Sequence, residues 1–556
     1  MSFLDVYSRI GSALREVTGQ ENVSLADGGP HADLASTVAF PLARAMRKPP
    51  AAIAGDLAAT LSRRGELRGV RVEAAGPYLN FHLGQEILEE CLAEATRPGY
   101  GSFPAREERV VLEHTSANPN GPLHVGHIRN TVIGDTLARC LRKAGYPVEV
   151  QYYVNDMGRQ IAIVVWGFRN VPREEIPGEK GDPRVARVYI AANRALEERP
   201  ELVAEVDRLM QSVEAGDPAT AREFRSAVTA CLEGFRTTLT RLGARHDRFI
   251  WESDFVRNGD TERVLSRLSH MEECREEGGR LWLDLSAHGF GKEYVLRRSD
   301  GTTVYAARDI AYHVWKARNF DRVIDVLGAD HKLIGAQLVT TLRLLGERPP
   351  EIVFFEFVSL PEGSMSTRAG KFVSADELLD EVTRRAFEEV TQRRPELPEE
   401  ERRRIAQSVA LAAVRYDIVR ISPDKSTVFD WEEALDFERQ SGPYIQYAHA
   451  RACSILEKAG EFGHAFALED PRELALARHV IRFPLVVENV VRELKPHLLA
   501  AYARDLADLF NTFYHYVPVL KSTGTLRDSR LTLVLAARNT LAEALQSLGI
   551  ESLSTM

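Results

Sequence analysis

The chain reads as a multi-domain α/β protein built on a doubly wound parallel sheet, and three observations carry that reading. Its 556 residues exceed what one hydrophobic core organises, so three or more domains are expected. Through the middle, apolar strand-like runs (VVLEHT, VEVQYYV, RVIDVLG, EIVFFEFV) alternate with helical patterns, the rhythm of a parallel sheet covered by helices. Beyond about Asp376 the apolar spacing becomes helical almost to the end, as in ALAAVRYDIVRI and HLLAAYARDLADLFNTFYHYVPVL, and predicts a helix bundle.

Taken in order, residues 1–106 hold amphipathic runs at Phe3–Val17 and Glu86–Ala95 around a strand-like VRVEAAGPYLNFHL, a small α+β domain. The Gly/Pro-rich RPGYGSFPAREE ends it. The sheet domain then spans 107–363, opening on ERVVLEHT as its first buried strand. A long, charged, mostly helical stretch over about 159–290 interrupts the alternation and reads as an insertion packed beside the sheet. Residues 364–556 form the third, helical domain.

Composition sets limits. A net charge of −9 argues against a surface coated with base for nonspecific nucleic-acid binding, so any RNA contact must be locally basic. The arginines at 384, 385, 393, 394 and 402–404 are interleaved with glutamates, the pattern of a solvated helix face. Five scattered cysteines show no pair at zinc-site spacing and read as reduced thiols; no metal site is expected. No segment approaches the ~20 uninterrupted apolar residues of a membrane span, which points to a cytoplasmic location.

The strongest chemical signal is EHTSANPNGPLHVGH, Glu113 to His127, where a strand gives way to a helix. In open α/β sheets ligands bind at that edge, and the helix starting near Val125 points unpaired amides into the crevice, where phosphate can bind. His124 and His127, three residues apart, share a helix face and can both donate to phosphate oxygens; Gly126 between them leaves room for a flat base. Two histidines around a glycine would alone suit a capped surface helix. With NPNGPL before and IRNTVIGD after it, however, HVGH resembles the HIGH signature of class I aminoacyl-tRNA synthetases in its arginyl-tRNA synthetase form.

That resemblance implies a Rossmann-like catalytic domain and further site residues. PEGSMSTRAGK resembles the KMSK loop: Met365 and Ser366 match, and would contact ATP, whereas Ser364 and Thr367 stand where the lysines would be. Ala369 and Gly121 likewise replace lysines found in relatives, which leaves Arg368 and Lys371 as the nearest sources of positive charge for the departing pyrophosphate. In DGTTVYAARDIAYHVWK, Tyr305 and Asp309 lie on one helical face; with Glu113 they match residues that hold an arginine guanidinium, a planar cation suited to carboxylates and a flat ring. Without the framing motif they would read as a core tyrosine and a surface aspartate.

Ser116, Asn118 and Gln337 resemble the residues that bind the amino acid's backbone end. LGADHKLIGAQ resembles the segment touching the ATP ribose, through Gly328, Asp330 and His331, although Asp330 also suits a plain helix N-cap. Tyr444 and Tyr447 in SGPYIQYAHARACSIL match positions facing the anticodon loop, where aromatics otherwise belong to the core. GPYLNF, with Tyr78 and Asn80, resembles the part that holds the outer corner of tRNA, although Ala75 replaces an asparagine expected there.

The resemblance therefore implies a ligase that activates L-arginine with ATP, magnesium accompanying the nucleotide and no tightly bound cofactor, and charges tRNA(Arg), as a monomer. Two other readings remain: a HIGH-type ligase for another amino acid, and an RNA-binding paralogue that has lost catalysis, which the lysine-poor SMSTRAGK favours.

Overall fold

The computed structural model describes residues 2–29, 31–172, 180–360 and 373–556. Five parallel strands form the central sheet, in the order Glu351–Phe355, Arg322–Gly328, Val110–Glu113, Val148–Val154, Arg248–Trp251. Val110, Val111 and Leu112 are fully buried, as a middle strand covered on both faces requires.

The last of these strands divides the stretch expected as one insertion. Among the described residues the α-helices Arg159–Asn170, Gly181–Glu198, Val203–Glu214 and Pro218–Arg241 precede it within that stretch. After it come two short helices and a three-stranded antiparallel sheet of Cys274–Glu277, Arg280–Leu283 and Tyr294–Arg297. The four-residue RFIW, led by an exposed arginine, is too short to announce a strand by periodicity. The second inserted unit shares a separate hydrophobic cluster with the helix Tyr305–Asn319.

In the N-terminal domain VRVEAAGPYLNFHL folds into a hairpin that turns through Gly76 (φ 59°), with Ala75 opposite Tyr78. A four-stranded antiparallel sheet results, with helices Phe3–Thr18, Ala39–Met46, Pro50–Leu61 and Gln85–Ala95 in the same domain. The helical domain runs from Ala375–Arg393 and Glu399–Val419 through to Gly524–Ser547. Its arginine-rich start is the expected ion-paired face: Arg384 with Glu388, Arg385 with Glu381, Arg393 with Glu389, Arg403 with Glu399.

Both outer domains are fastened to their neighbours. The Tyr100 hydroxyl donates to the Val480 and Ile481 carbonyls, Arg478 and Arg482 pair with Asp33 and Asp27, and Asn539 donates to the Ala95 and Thr96 carbonyls. Among the described residues no helix is long and apolar enough to cross a membrane.

Candidate active site

After Glu113 the backbone enters the left-handed region at Thr115 (φ 70°) and Ser116 (φ 37°), a strain for non-glycine residues that surrounding contacts must hold. Those contacts come from the helix Val125–Lys143. The Thr115 amide donates to Asn130 Oδ1 (2.8 Å), its hydroxyl meets Thr131 Oγ1 (2.8 Å), and Asn130 Nδ2 donates to the Val326 carbonyl on the next strand (3.1 Å). IRNT after the motif is thus the clamp that shapes the loop before it.

His124 caps that helix. Its Nδ1 accepts from the Gly126 amide (3.1 Å), and its own amide donates to His127 Nδ1 (3.2 Å), with the two rings stacked at 3.7 Å. Because both Nδ1 atoms accept, the neutral rings carry their protons on Nε2. Burial lowers the His124 pKa and, with His124 beside it, brings His127 down to about 3, so both imidazoles are neutral donors at physiological pH. A Cβ at Gly126 would lie 3.0 Å from the His124 ring, so the glycine makes room for that imidazole. Ser374 bridges to His124 and the Ala375 amide donates to the Leu123 carbonyl (2.7 Å), bringing the root of the third domain to the motif. Met365, Ser366, Arg368 and Lys371 lie outside the described residues.

Beside this crevice sits an acidic pocket. Tyr305, 55% exposed, opens the helix Tyr305–Asn319, and Asp309 follows one turn later. Glu113 has other partners than the expected guanidinium: Oε2 meets the Lys316 ammonium (2.5 Å) and Oε1 accepts from Ser116 Oγ (2.9 Å). Lys316 also binds Asp325 (2.7 Å), whose second oxygen meets His313 Nε2 (2.8 Å), while His313 Nδ1 lies 3.1 Å from the Asp309 carboxylate. Burial and Lys316 would lower the His313 pKa, but Asp309 and Asp325 outweigh them and push it up to about 10, making it a cation. Glu113 and Asp309 are therefore joined through Lys316 and His313.

A further carboxylate in this pocket, Glu252, has no counterpart among the residues expected from the sequence. Glu252, fully buried at the end of the edge strand, has Arg308 Nε at 3.4 Å and, with its amide nitrogen turned inward, Asn155 at 2.9 Å. Burial and the repulsion of Asp156 and Asp309 push its pKa up to about 7 against the pull of Arg308. Close enough to feel its charge is the buried Tyr153 hydroxyl, which has no hydrogen-bond partner among the described residues; its ring stacks on Tyr312 (4.6 Å). Asn118, Asn155, Tyr305 and Arg308 line an adjoining cavity of about 260 Å³. One signal could have found Glu252: RFIWE, like VVLE, finishes a sheet strand with a glutamate at the ligand-binding edge.

The remaining sites separate. Asp330 and His331 are exposed just past the strand that ends at Gly328, where a Cβ would strike the Asp330 carboxylate. Gln337 is buried, its amide donating to the Lys292 carbonyl (3.1 Å). Tyr444 is buried with its hydroxyl on Asp508 (2.7 Å), whereas Tyr447 is 39% exposed beneath the Arg451 guanidinium (4.7 Å). Both line a cavity of about 1010 Å³ with Arg393, Arg394, Tyr516 and Met556. Tyr78 is exposed edge-on to Phe40, and Asn80 is buried within the sheet.

Known proteins resemble this chain along its whole length. Residues 7–83 match the arginyl tRNA synthetase N terminal domain, 91–431 the family described as tRNA synthetases class I (R), catalytic domain, and 445–556 the DALR anticodon binding domain. Arginine–tRNA ligases of Methanosphaerula palustris and Methanoregula boonei are each 63% identical over 100% of both chains. The solved arginyl-tRNA synthetase of Thermus thermophilus is 33% identical with a TM-score of 0.87, covering 100% of both chains. That of Plasmodium falciparum, 17% identical, shares the fold with a TM-score of 0.82 over 99% of this chain and 98% of its own. With three family domains in sequence, a full-length match and a histidine pair capping the helix at the sheet's edge, the chain belongs to the arginyl-tRNA synthetases of class I.

Proposed function

We propose that this chain activates L-arginine with ATP and charges tRNA(Arg). An oxygen of the arginine carboxylate attacks the α-phosphorus, pyrophosphate leaves, and the terminal ribose hydroxyl of the tRNA then attacks the adenylate carbonyl and expels AMP. No covalent bond to the enzyme is needed. Rate comes from alignment and from neutralising phosphate charge.

Asp309 and Glu252 take the guanidinium, with Tyr305 against its face; Glu113, held by Lys316 and Ser116, braces the pocket floor. Ser116, Asn118 and Gln337 receive the amino acid's backbone end. His124 and His127 donate through Nε2–H to phosphate, and Gly328, Asp330 and His331 hold the ribose. Met365, Ser366, Arg368 and Lys371 complete the nucleotide site. Magnesium travels with the ATP: among the described residues the cluster with metal-like spacing, Glu113, His313 and Asp325, already surrounds the Lys316 ammonium and does not suit a second cation. Tyr447, with Tyr444 behind it, faces the anticodon loop, and Tyr78 and Asn80 the tRNA corner. The enzyme works as a cytoplasmic monomer.

The observation that carries this reading is the buried Glu252 carboxylate, its pKa pushed up to about 7 by burial and by its carboxylate neighbours Asp156 and Asp309, close to the imidazole-capped helix. Pyrophosphate exchange, run across the amino acids with cognate tRNA, tests it. Exchange should require arginine, and Asp309→Ala should abolish it while tRNA binding persists; exchange driven by another amino acid, or an unchanged arginine affinity in that variant, refutes the assignment.

A further inference from the structure

The Tyr305–Asn319 helix begins without a side-chain cap of its own: Val304 occupies the N-cap position and offers no oxygen. The anchor for this turn comes from 89 residues away. Glu214, the last residue of the inserted helix Val203–Glu214, accepts through one carboxylate oxygen from both the Thr303 amide (2.7 Å) and the Thr303 hydroxyl (2.7 Å). Thr303 in turn offers its carbonyl to Arg308 Nη2 (3.2 Å), and the Val304 amide donates to the Leu296 carbonyl (3.0 Å). Met210, Val213 and Glu214 line the same cavity as Tyr305 and Arg308.

We propose that Glu214 is a positioning residue for amino-acid recognition: by holding Thr303 it sets where the first turn of this helix starts, and hence where Tyr305 and Asp309 stand. This rests on the pocket assignment above. A carboxylate next to a helix start suits the helix dipole, but the double acceptance needs only an oxygen in place. Charge and position can therefore be told apart by substitution.

The test measures the arginine and ATP Michaelis constants, kcat and thermal stability for Glu214→Ala and Glu214→Gln in the full-length enzyme with tRNA, beside the pyrophosphate exchange of Asp309→Ala. Glu214→Ala should raise the arginine KM by about tenfold, the change a displaced contact of ordinary strength produces, with the ATP KM and kcat little altered. Glu214→Gln, whose amide oxygen can still accept from Thr303, should recover most of the affinity. A Gln variant as impaired as Ala overturns the proposal, since the charge would then act on the substrate directly. Parallel loss in every constant together with lowered thermal stability overturns it in favour of a purely structural role. An unchanged arginine KM in Glu214→Ala beside lost exchange in Asp309→Ala removes Glu214 alone; full activity in both removes the pocket as well.

Discussion

Glu113 and Glu252 both stand where a strand meets the ligand-binding edge, yet their surroundings give them different work. Glu113 is neutralised by a lysine that lies entirely inside the protein, whereas Glu252 has a single guanidinium at 3.4 Å and a pKa near 7. The ionised form of Glu252 predominates only above that value. A cationic substrate binds this form, so affinity for arginine should increase as pH rises through neutrality: between about pH 6 and pH 8 the arginine KM should fall by up to about tenfold, the change in the ionised fraction. Glu252→Gln should bind arginine more weakly and lose that slope; a flat wild-type profile would remove Glu252 from the recognition set. His124 and His127 were legible as candidates through the flanking NPNGPL and IRNTVIGD, and Tyr305 and Asp309 through the resemblance those segments carry. Glu252 was not, because IWES carries no motif and its meaning depends on Arg308, 56 residues on, folding back against it. Lys316 reads in the sequence as an ordinary helix lysine, and only its burial between Glu113 and Asp325 reveals its role.

Among the elements, the helix Val125–Lys143 does more than present imidazoles. Halfway along it Asp135 meets Arg415, a fully buried guanidinium that also donates to the carbonyls ending the inserted helices (Leu242, 2.7 Å) and the final helix (Leu548, 2.7 Å). Gly549 (φ 73°) is needed beside it, since a Cβ there would collide with that guanidinium. Arg415→Met should remove about 2–4 kcal/mol of stability, the cost of stranding two buried carbonyls and leaving Asp135 to Arg139 alone. Urea unfolding would measure it, and a loss below about 1 kcal/mol would mean that Arg139 and water take over the bonds. Helices of this length were legible because apolar spacing and caps agree with one another. Strand Arg248–Trp251 was hidden by its brevity, and with it the division of the insertion into two units.

At the scale of the molecule, neighbouring tyrosines of the helical domain have separate surroundings, Tyr447 partly exposed and Tyr444 buried on Asp508. Tyr447→Ala should raise the tRNA KM several-fold, leaving the arginine KM alone, whereas Tyr444→Phe should cost about 1 kcal/mol of stability by freeing Asp508; the reverse pattern in charging assays and thermal melts would exchange the two roles. Domain order and class were legible along the chain, because each unit has its own periodicity. How the units lock together was not, since Tyr100, Arg478, Arg482 and Asn539 contact partners hundreds of residues away. The bridge between His124 and Ser374 has an engineering consequence. Ser374, the N-cap of the bundle's first helix, is bridged to the residue that caps the motif's helix, so the bundle is not a detachable reader. A chimera that grafts a foreign bundle onto this sheet would tilt the imidazoles unless the seam were carried across with it.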